Sequence, residues 1–181
     1  MDDIVQAAMA KWPSVPACYG WLGLDARGDW YLRDDAAQAA GAFQARDRWP
    51  LAKGSRLQHD GLIAFIGRNY GCDSQGCWFF QNGPQRVFVE LALAPWIWRL
   101  TADGQGWRAH TGQAVTLDAL WVDEDGLLYG SAACGLGVVH SADMLGAATW
   151  LERQGTEPVA VQRADMPTRF RYVLSPHQMP R

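Results

Sequence analysis

Four stretches of this chain announce a reversal of direction in nearly the same words. Asp25-Ala-Arg-Gly28-Asp-Trp30-Tyr31 and Asp73-Ser-Gln-Gly76-Cys-Trp78-Phe79 share the pattern D-x-x-G-x-aromatic-aromatic. Asp123-Glu-Asp-Gly126-Leu-Leu128-Tyr129 keeps it with one aromatic replaced, and Asp103-Gly-Gln-Gly106-Trp107 is a shortened form. The physics is local. An aspartate opening a type I turn accepts a hydrogen bond from the backbone two residues on. A glycine then adopts the left-handed conformation that closes a hairpin with a bulge. Large rings follow because they pack well on a pleated strand. A chain built on such units is expected to form β-hairpins.

The same stretches could be read as metal sites. Cys72 and Cys77 lack a second Cys or His pair nearby, as zinc would need. The acids around Asp123 lack the twelve-residue loop and terminal glutamate of a calcium site. No metal and no cofactor are expected.

Between the hairpins the pattern changes. Asp2 or Asp3 can cap a short helix that Pro13 stops. Ser55-Arg-Leu-Gln58 reads as a capping box opening a helix to about Asn69, with Leu62, Ile63, Phe65 and Ile66 as its apolar face. Ser141 reads as the cap of a second helix, with Met144, Leu145, Ala148 and Leu151 on one side and an end near Gly155. Residues 34–54 read as an irregular insertion. Strands are expected near 18–24, 29–33, 77–81, 86–93, 96–100, 107–110, 118–122, 127–132, 158–162 and 169–174. The architecture expected is α+β: antiparallel sheets built from hairpins, with two main helices. A hairpin–helix–strand order after Asp25 is echoed after Asp123. The layout therefore divides into lobes 1–95 and 96–181, or forms one compact domain.

Composition excludes several functions. The net charge is −3 with 19% charged residues, which provides no basic footprint for nucleic acid. Residues 1–13 carry two early acids and no apolar run, and no stretch approaches a membrane span. A cytoplasmic protein with free thiols is expected. No glycine-rich phosphate loop is present.

The run from Gly28 to Pro95 resembles an uncharacterised bacterial family, domain-of-unknown-function family 1285. The resemblance rests on Gly28-Asp-Trp30, on Gly54-Ser55 followed by Leu62-Ile63-Ala-Phe65-Ile66, and on Asp73-Ser-Gln-Gly76-Cys-Trp78. Pro84, Val89-Glu90 and Ala94-Pro95 are similar, as are Pro158–Arg163 and Arg169–Leu174. The middle of the chain, from about Leu100 to Leu120, has no counterpart, so a separate proteobacterial family of the same design is the other reading. The resemblance implies a two-lobed α+β fold and a role in signalling. It carries no catalytic residue.

The remaining candidates come from side-chain chemistry. Ten tryptophans are unusual in 181 residues. Trp96, Trp98 and Trp107 fall on adjacent strands, forming either a stacking platform or core. His110 follows them in a loop. Glu90 lies opposite Val87, Val89 and Leu91, either solvated or lining a cleft, and solvation is the expectation. His59 is expected on the polar side of its helix, and Cys134 with His140 lacks a third group. These residues suggest a non-enzymatic binding or regulatory module for a small molecule or protein partner. The alternatives are a hydrolase assembled from His110 with Glu90 or Asp123, and a structural subunit of a homo-oligomer.

Overall fold

Every D-x-x-G stretch is a hairpin turn in the computed structural model, which describes residues 1–179. Asp73 Oδ1 accepts from Gln75 N and Cys77 N, both at 2.9 Å, and Gly76 takes φ 82°. Asp123 Oδ1 accepts from Asp125 N and Leu127 N at 3.0 and 2.8 Å, with Gly126 at φ 78°. Local chemistry alone sets these reversals.

The chain folds as two units. The first comprises Met1–Asp25, Asp29–Leu93 and the chain from Tyr172 onward. Its elements are α1 (Asp3–Lys11), β1 (Cys18–Leu24), β2 (Trp30–Leu32), α2 (Asp35–Ala40), β3 (Ser55–Arg56), α3 (Asp60–Arg68), β4 (Tyr70–Cys72), β5 (Trp78–Asn82) and β6 (Gln85–Leu91). They make one six-stranded sheet of order β3-β2-β1-β6-β5-β4.

The second unit comprises Ala26–Gly28 and Ala94–Arg171. Its elements are β7 (Trp96–Leu100), β8 (Trp107–Ala109), β9 (Ala114–Val115), β10 (Ala119–Val122), β11 (Leu128–Ala132), β12 (Gly135–Val139), α4 (Met144–Gln154), β13 (Val159–Ala160) and α5 (Met166–Phe170). Its sheet has seven strands in the order β13-β10-β11-β12-β7-β8-β9.

The sheets are mixed, which corrects the antiparallel expectation. β1 runs parallel to β6, β7 to β12, and β10 to β13. Each sheet joins two three-stranded antiparallel meanders through a parallel pair, formed by the first strand of one and the last strand of the other. A parallel pair needs a long crossover, and the intervening strands supply it. Such central strands are covered on both faces. Accordingly Phe88, Val89, Glu90 and Leu91 of β6 are all buried, where one apolar face was expected.

Four local expectations fail. Ser55 does not cap a helix: Ser55 and Arg56 pair with Leu32 and Tyr31 as β3. The α3 cap is His59, whose Nδ1 accepts from Leu62 N at 3.1 Å. Likewise His140 Nδ1, rather than Ser141, accepts from Ala142 N at 3.0 Å to cap the turn before α4. The α4 face is also rotated, since Ala147 is buried while Leu145 is 84% exposed. The strand expected near 169–174 is not formed at its start, where Arg169 and Phe170 end α5 (Met166–Phe170); Pro167 sits in the first turn of that helix, where its missing N–H costs nothing.

The insertion at 34–54 is organised by one cation. Arg33 is buried and donates to the carbonyls of Ala52 (2.8 Å), Gly20 (3.2 Å) and Gly41 (2.6 Å). Among the described residues no helix is long and apolar enough to cross a membrane, and no group of three His, Cys, Asp or Glu is placed to hold a metal. The four cysteines are free thiols.

Candidate functional site

The residues singled out by sequence divide between the units. In the second, Trp96 and Trp98 alternate along β7 and stack at 6.1 Å with planes 7° apart. Their indole N–H groups donate to Cys134 O (2.9 Å) and Gly130 O (2.7 Å). Gly137 on β12 makes room for the Trp98 ring, since a Cβ there would lie 2.3 Å from it. Trp107 is 3% exposed and meets Trp150 edge-on at 5.5 Å. His110 packs on Trp96 at 5.6 Å, and its Nδ1 accepts from Ile97 N at 3.3 Å. Burial lowers its pKa to about 3, so the ring is neutral at physiological pH. These four residues are packed inside their unit.

Glu90 lies in the first unit and is 1% exposed, not solvated. Its carboxylate accepts from Ser175 Oγ at 2.5 Å and from His177 N at 3.2 Å. It also sits within electrostatic range of Arg33, whose pKa burial lowers while Glu90 works to raise it. A buried anion needs such partners. Here they tie the returning chain to β6, where Leu174 O also accepts from Leu91 N at 2.8 Å. Glu90 thus has a fastening role.

The open chemistry lies elsewhere in the second unit, around Asp123. Asp123 Oδ1 is used by its own turn, which leaves Oδ2 to accept from Tyr129 Oη (3.0 Å) and Arg163 Nε (2.9 Å). Arg163 also reaches Asp125 at 2.6 Å, and its backbone N–H donates to Glu124 at 2.9 Å. Burial opposes the charge on Asp123, yet Arg163 and the turn amides outweigh it and hold the carboxyl below its usual range. Burial and the neighbouring carboxylate push the Tyr129 phenol up. Asp123, Tyr129 and Arg163 are thus committed to one another.

Beside it runs a cleft of about 420 Å³, lined by Glu124, Gln162, Asp165 and Arg169 among others. Arg169 comes from α5. Its guanidinium lies 5.4 Å over the Trp121 ring and 5.8 Å over Phe170, and those two rings meet at 4.7 Å. No hydrogen bond or ion pair to Arg169 is formed among the described residues, and the side chain is exposed. A guanidinium that lies over an aromatic ring and has no ion-pair partner retains N–H donors for a bidentate acceptor. The Gln162 amide on the same wall offers both a donor and an acceptor.

Sequence reasoning flagged Asp123 but missed Arg163, Arg169 and Trp121. The Arg-Phe-Arg-Tyr alternation at 169–172 reads as strand and hides the cation on a helix. The one available signal was Met166-Pro167, a helix opening.

The chain belongs to the DUF2944 family, described as "Protein of unknown function (DUF2946)", whose model matches residues 1–177. Among solved structures it is similar to a DUF1285 family protein from Silicibacter pomeroyi DSS-3, with 9% identity, a TM-score of 0.46, and coverage of 80% of this chain and 82% of that one. A DUF1285 family protein from Shewanella baltica OS155 is 14% identical, with a TM-score of 0.45 and coverage of 72% and 91%. No curated protein matches.

Proposed function

We propose that this member of the DUF2944 family is a non-enzymatic binding module, and that its ligand is a small carboxylate seated in the cleft beside Asp123. The observation that carries the reading is Arg169, which lies over the Trp121 ring, lines that cleft and forms no hydrogen bond or ion pair among the described residues. Arginine in this posture suits planar, bidentate oxyanions. The flanking acids Glu124 and Asp165 favour a singly charged carboxylate over a phosphate dianion, which they would repel more strongly. The aromatic contribution is Trp121, not the tryptophans of β7 and β8.

The hydrolase alternative has less support. His110 is held neutral by burial, Asp123 is committed to Arg163 and Tyr129, and Glu90 belongs to the other unit. Burial raises all four thiols, Cys77 to about 11, which removes the thiolate that nucleophilic catalysis uses. We take the protein to be bacterial and to work in the cytoplasm, where free thiols persist. Ligand occupancy of the cleft would supply a regulatory signal. We also read the two meanders of each sheet as copies of one ancestral unit, on the strength of their shared strand order.

Isothermal titration of the full chain with a panel of small carboxylates tests the reading. A saturable ligand is expected, weakened at least about tenfold by Arg169→Ala and only partly rescued by Arg169→Lys, which keeps the charge but loses the fork. Carboxylate binding indifferent to both substitutions overturns it.

A further inference from the structure

Gln81 and Arg86 stand directly opposite each other on β5 and β6, so their side chains leave the sheet on the same face. Phe79, two residues before Gln81, shares that face, and the Arg86 guanidinium lies 4.7 Å from its ring centroid. Gln81 and Arg86 both line a cleft of about 360 Å³ in the first unit. Its other walls include Met9 of α1, Trp12 at the end of that helix, Val15 from the connection to β1, and Pro84 from the β5–β6 turn. Gln85 holds the connection against the sheet, since its Nε2 donates to Pro16 O at 3.0 Å.

The cleft combines a buried acceptor with an exposed cation. Gln81 is 1% exposed. Its Nε2 donates to Gly83 O at 2.9 Å, which fixes the orientation of the amide. Its Oε1 is buried and has no hydrogen-bond partner among the described residues. A buried acceptor without a donor is costly, and a ligand O–H or N–H relieves that cost. Arg86 is exposed and forms no hydrogen bond or ion pair among the described residues. Its N–H donors suit a carboxylate. Trp12 is 50% exposed and offers its ring to a flat apolar group. Lys11, 4.5 Å over the same ring, adds a second positive charge.

A ligand matched to these groups carries a hydrogen-bond donor at one end, a flat apolar middle and an anion at the other end. A hydroxyl suits the buried end better than an ammonium, which would be desolvated beside Gln81 and repelled by Arg86 and Lys11. We infer that this cleft binds a small phenolic carboxylic acid, its hydroxyl donating to Gln81 Oε1 and its carboxylate accepting from Arg86. The site shares no residue with the cleft of Arg169, which belongs to the second unit.

The test is titration calorimetry with para-hydroxyphenylacetate, phenylacetate and tyramine on the full chain carrying Arg169→Ala. That substitution silences the other cleft, so failure of either reading is seen on its own. para-Hydroxyphenylacetate is expected to bind saturably. Phenylacetate and tyramine, each lacking the group for one end, are expected to bind at least about tenfold more weakly. Arg86→Ala, a change at an exposed position, is expected to weaken para-hydroxyphenylacetate by a similar factor. Gln81→Met, which keeps the bulk and removes the acceptor, is expected to erase the difference between the two acids. In a ¹⁵N-labelled chain the Gln81 side-chain amide signals are expected to shift along the calorimetric saturation curve. Should Gln81→Met fail to fold, the ligand series and Arg86→Ala still decide. Absence of saturable para-hydroxyphenylacetate binding, equal affinity for the two acids while Gln81 is present, or Gln81 signals unmoved at saturation overturns the inference.

Discussion

Asp123 and Arg163, forty positions apart, meet at 2.9 Å with the Asp123 side chain wholly buried. One oxygen of the carboxylate shapes its own hairpin turn while the other binds the incoming guanidinium. The pair converts a local reversal into a long-range tether that positions the wall of the cleft. Removing Arg163 leaves the buried carboxylate without its cation. Arg163→Met is expected to destabilise the protein by about 3 kcal/mol in urea unfolding. Asp123→Asn, which keeps the turn acceptor, is expected to cost less.

The same pair makes part of the stability depend on acid. Asp123 has a lowered pKa in the folded protein. Its contribution is complete above the unfolded carboxylate value near 4 and fades as pH falls through the folded value. Unfolding midpoints followed from pH 6 to pH 2 are expected to fall less steeply in Arg163→Met than in the wild type.

His110 acts in a different window. Its folded pKa, lowered by burial to about 3, lies below the roughly 6.5 of an unfolded histidine. The neutral ring therefore contributes stability that is complete above that unfolded value and is lost as pH falls toward the folded one. The imidazole resonances of His110 are expected to show no titration between pH 7 and pH 5. His110→Gln is expected to reduce the loss of stability across that range.

Two histidine caps give an unusual test of helix initiation. His59 Nδ1 holds Leu62 N at 3.1 Å at the start of α3. His59→Ala is expected to cost about 1 kcal/mol, while His59→Asn and His59→Ser, which supply an equivalent acceptor, are expected to be neutral or stabilising. Equal losses in all three variants would show that the cap contributes nothing.

Glu90 fastens the returning chain. Glu90→Ala removes the acceptor of Ser175 Oγ and an anion within electrostatic range of Arg33. A loss of about 3 kcal/mol is expected, with faster proteolysis within residues 172–179 as the visible sign. Ser175→Ala removes one hydrogen bond and is expected to cost about 1–2 kcal/mol.

The legible part of this fold was the part written locally. The reversals at Asp25, Asp73 and Asp123 follow from an aspartate and a glycine three residues apart, and each is a turn. The parallel pairs β1–β6 and β7–β12 join strands far apart in the chain, and no local pattern encodes them. Ser55 satisfied the sequence rule for a cap, yet pairing with Tyr31 and Leu32 claimed that backbone first. The β7 and β8 tryptophans were correctly placed on adjacent strands, but residue type cannot say which face a sheet buries once both are covered. Arg163 and Arg169 were illegible because a charged residue carries no mark of its partner. Of the cleft, only Asp123 stood out beforehand, as a turn residue and as a carboxylate for the hydrolase alternative.

On the proposed function, Arg169 beside Trp121 anchors a carboxylate. The direct measurement is the side-chain Nε–Hε resonance of Arg169 in a ¹⁵N-labelled full chain, assigned with Arg169→Lys and followed as the tightest small carboxylate from the panel is added. This signal is expected to shift and sharpen along the same saturation curve as the calorimetric binding, as bidentate contact restrains the guanidinium. A carboxylate that saturates the protein while the Arg169 signal stays unmoved contradicts it.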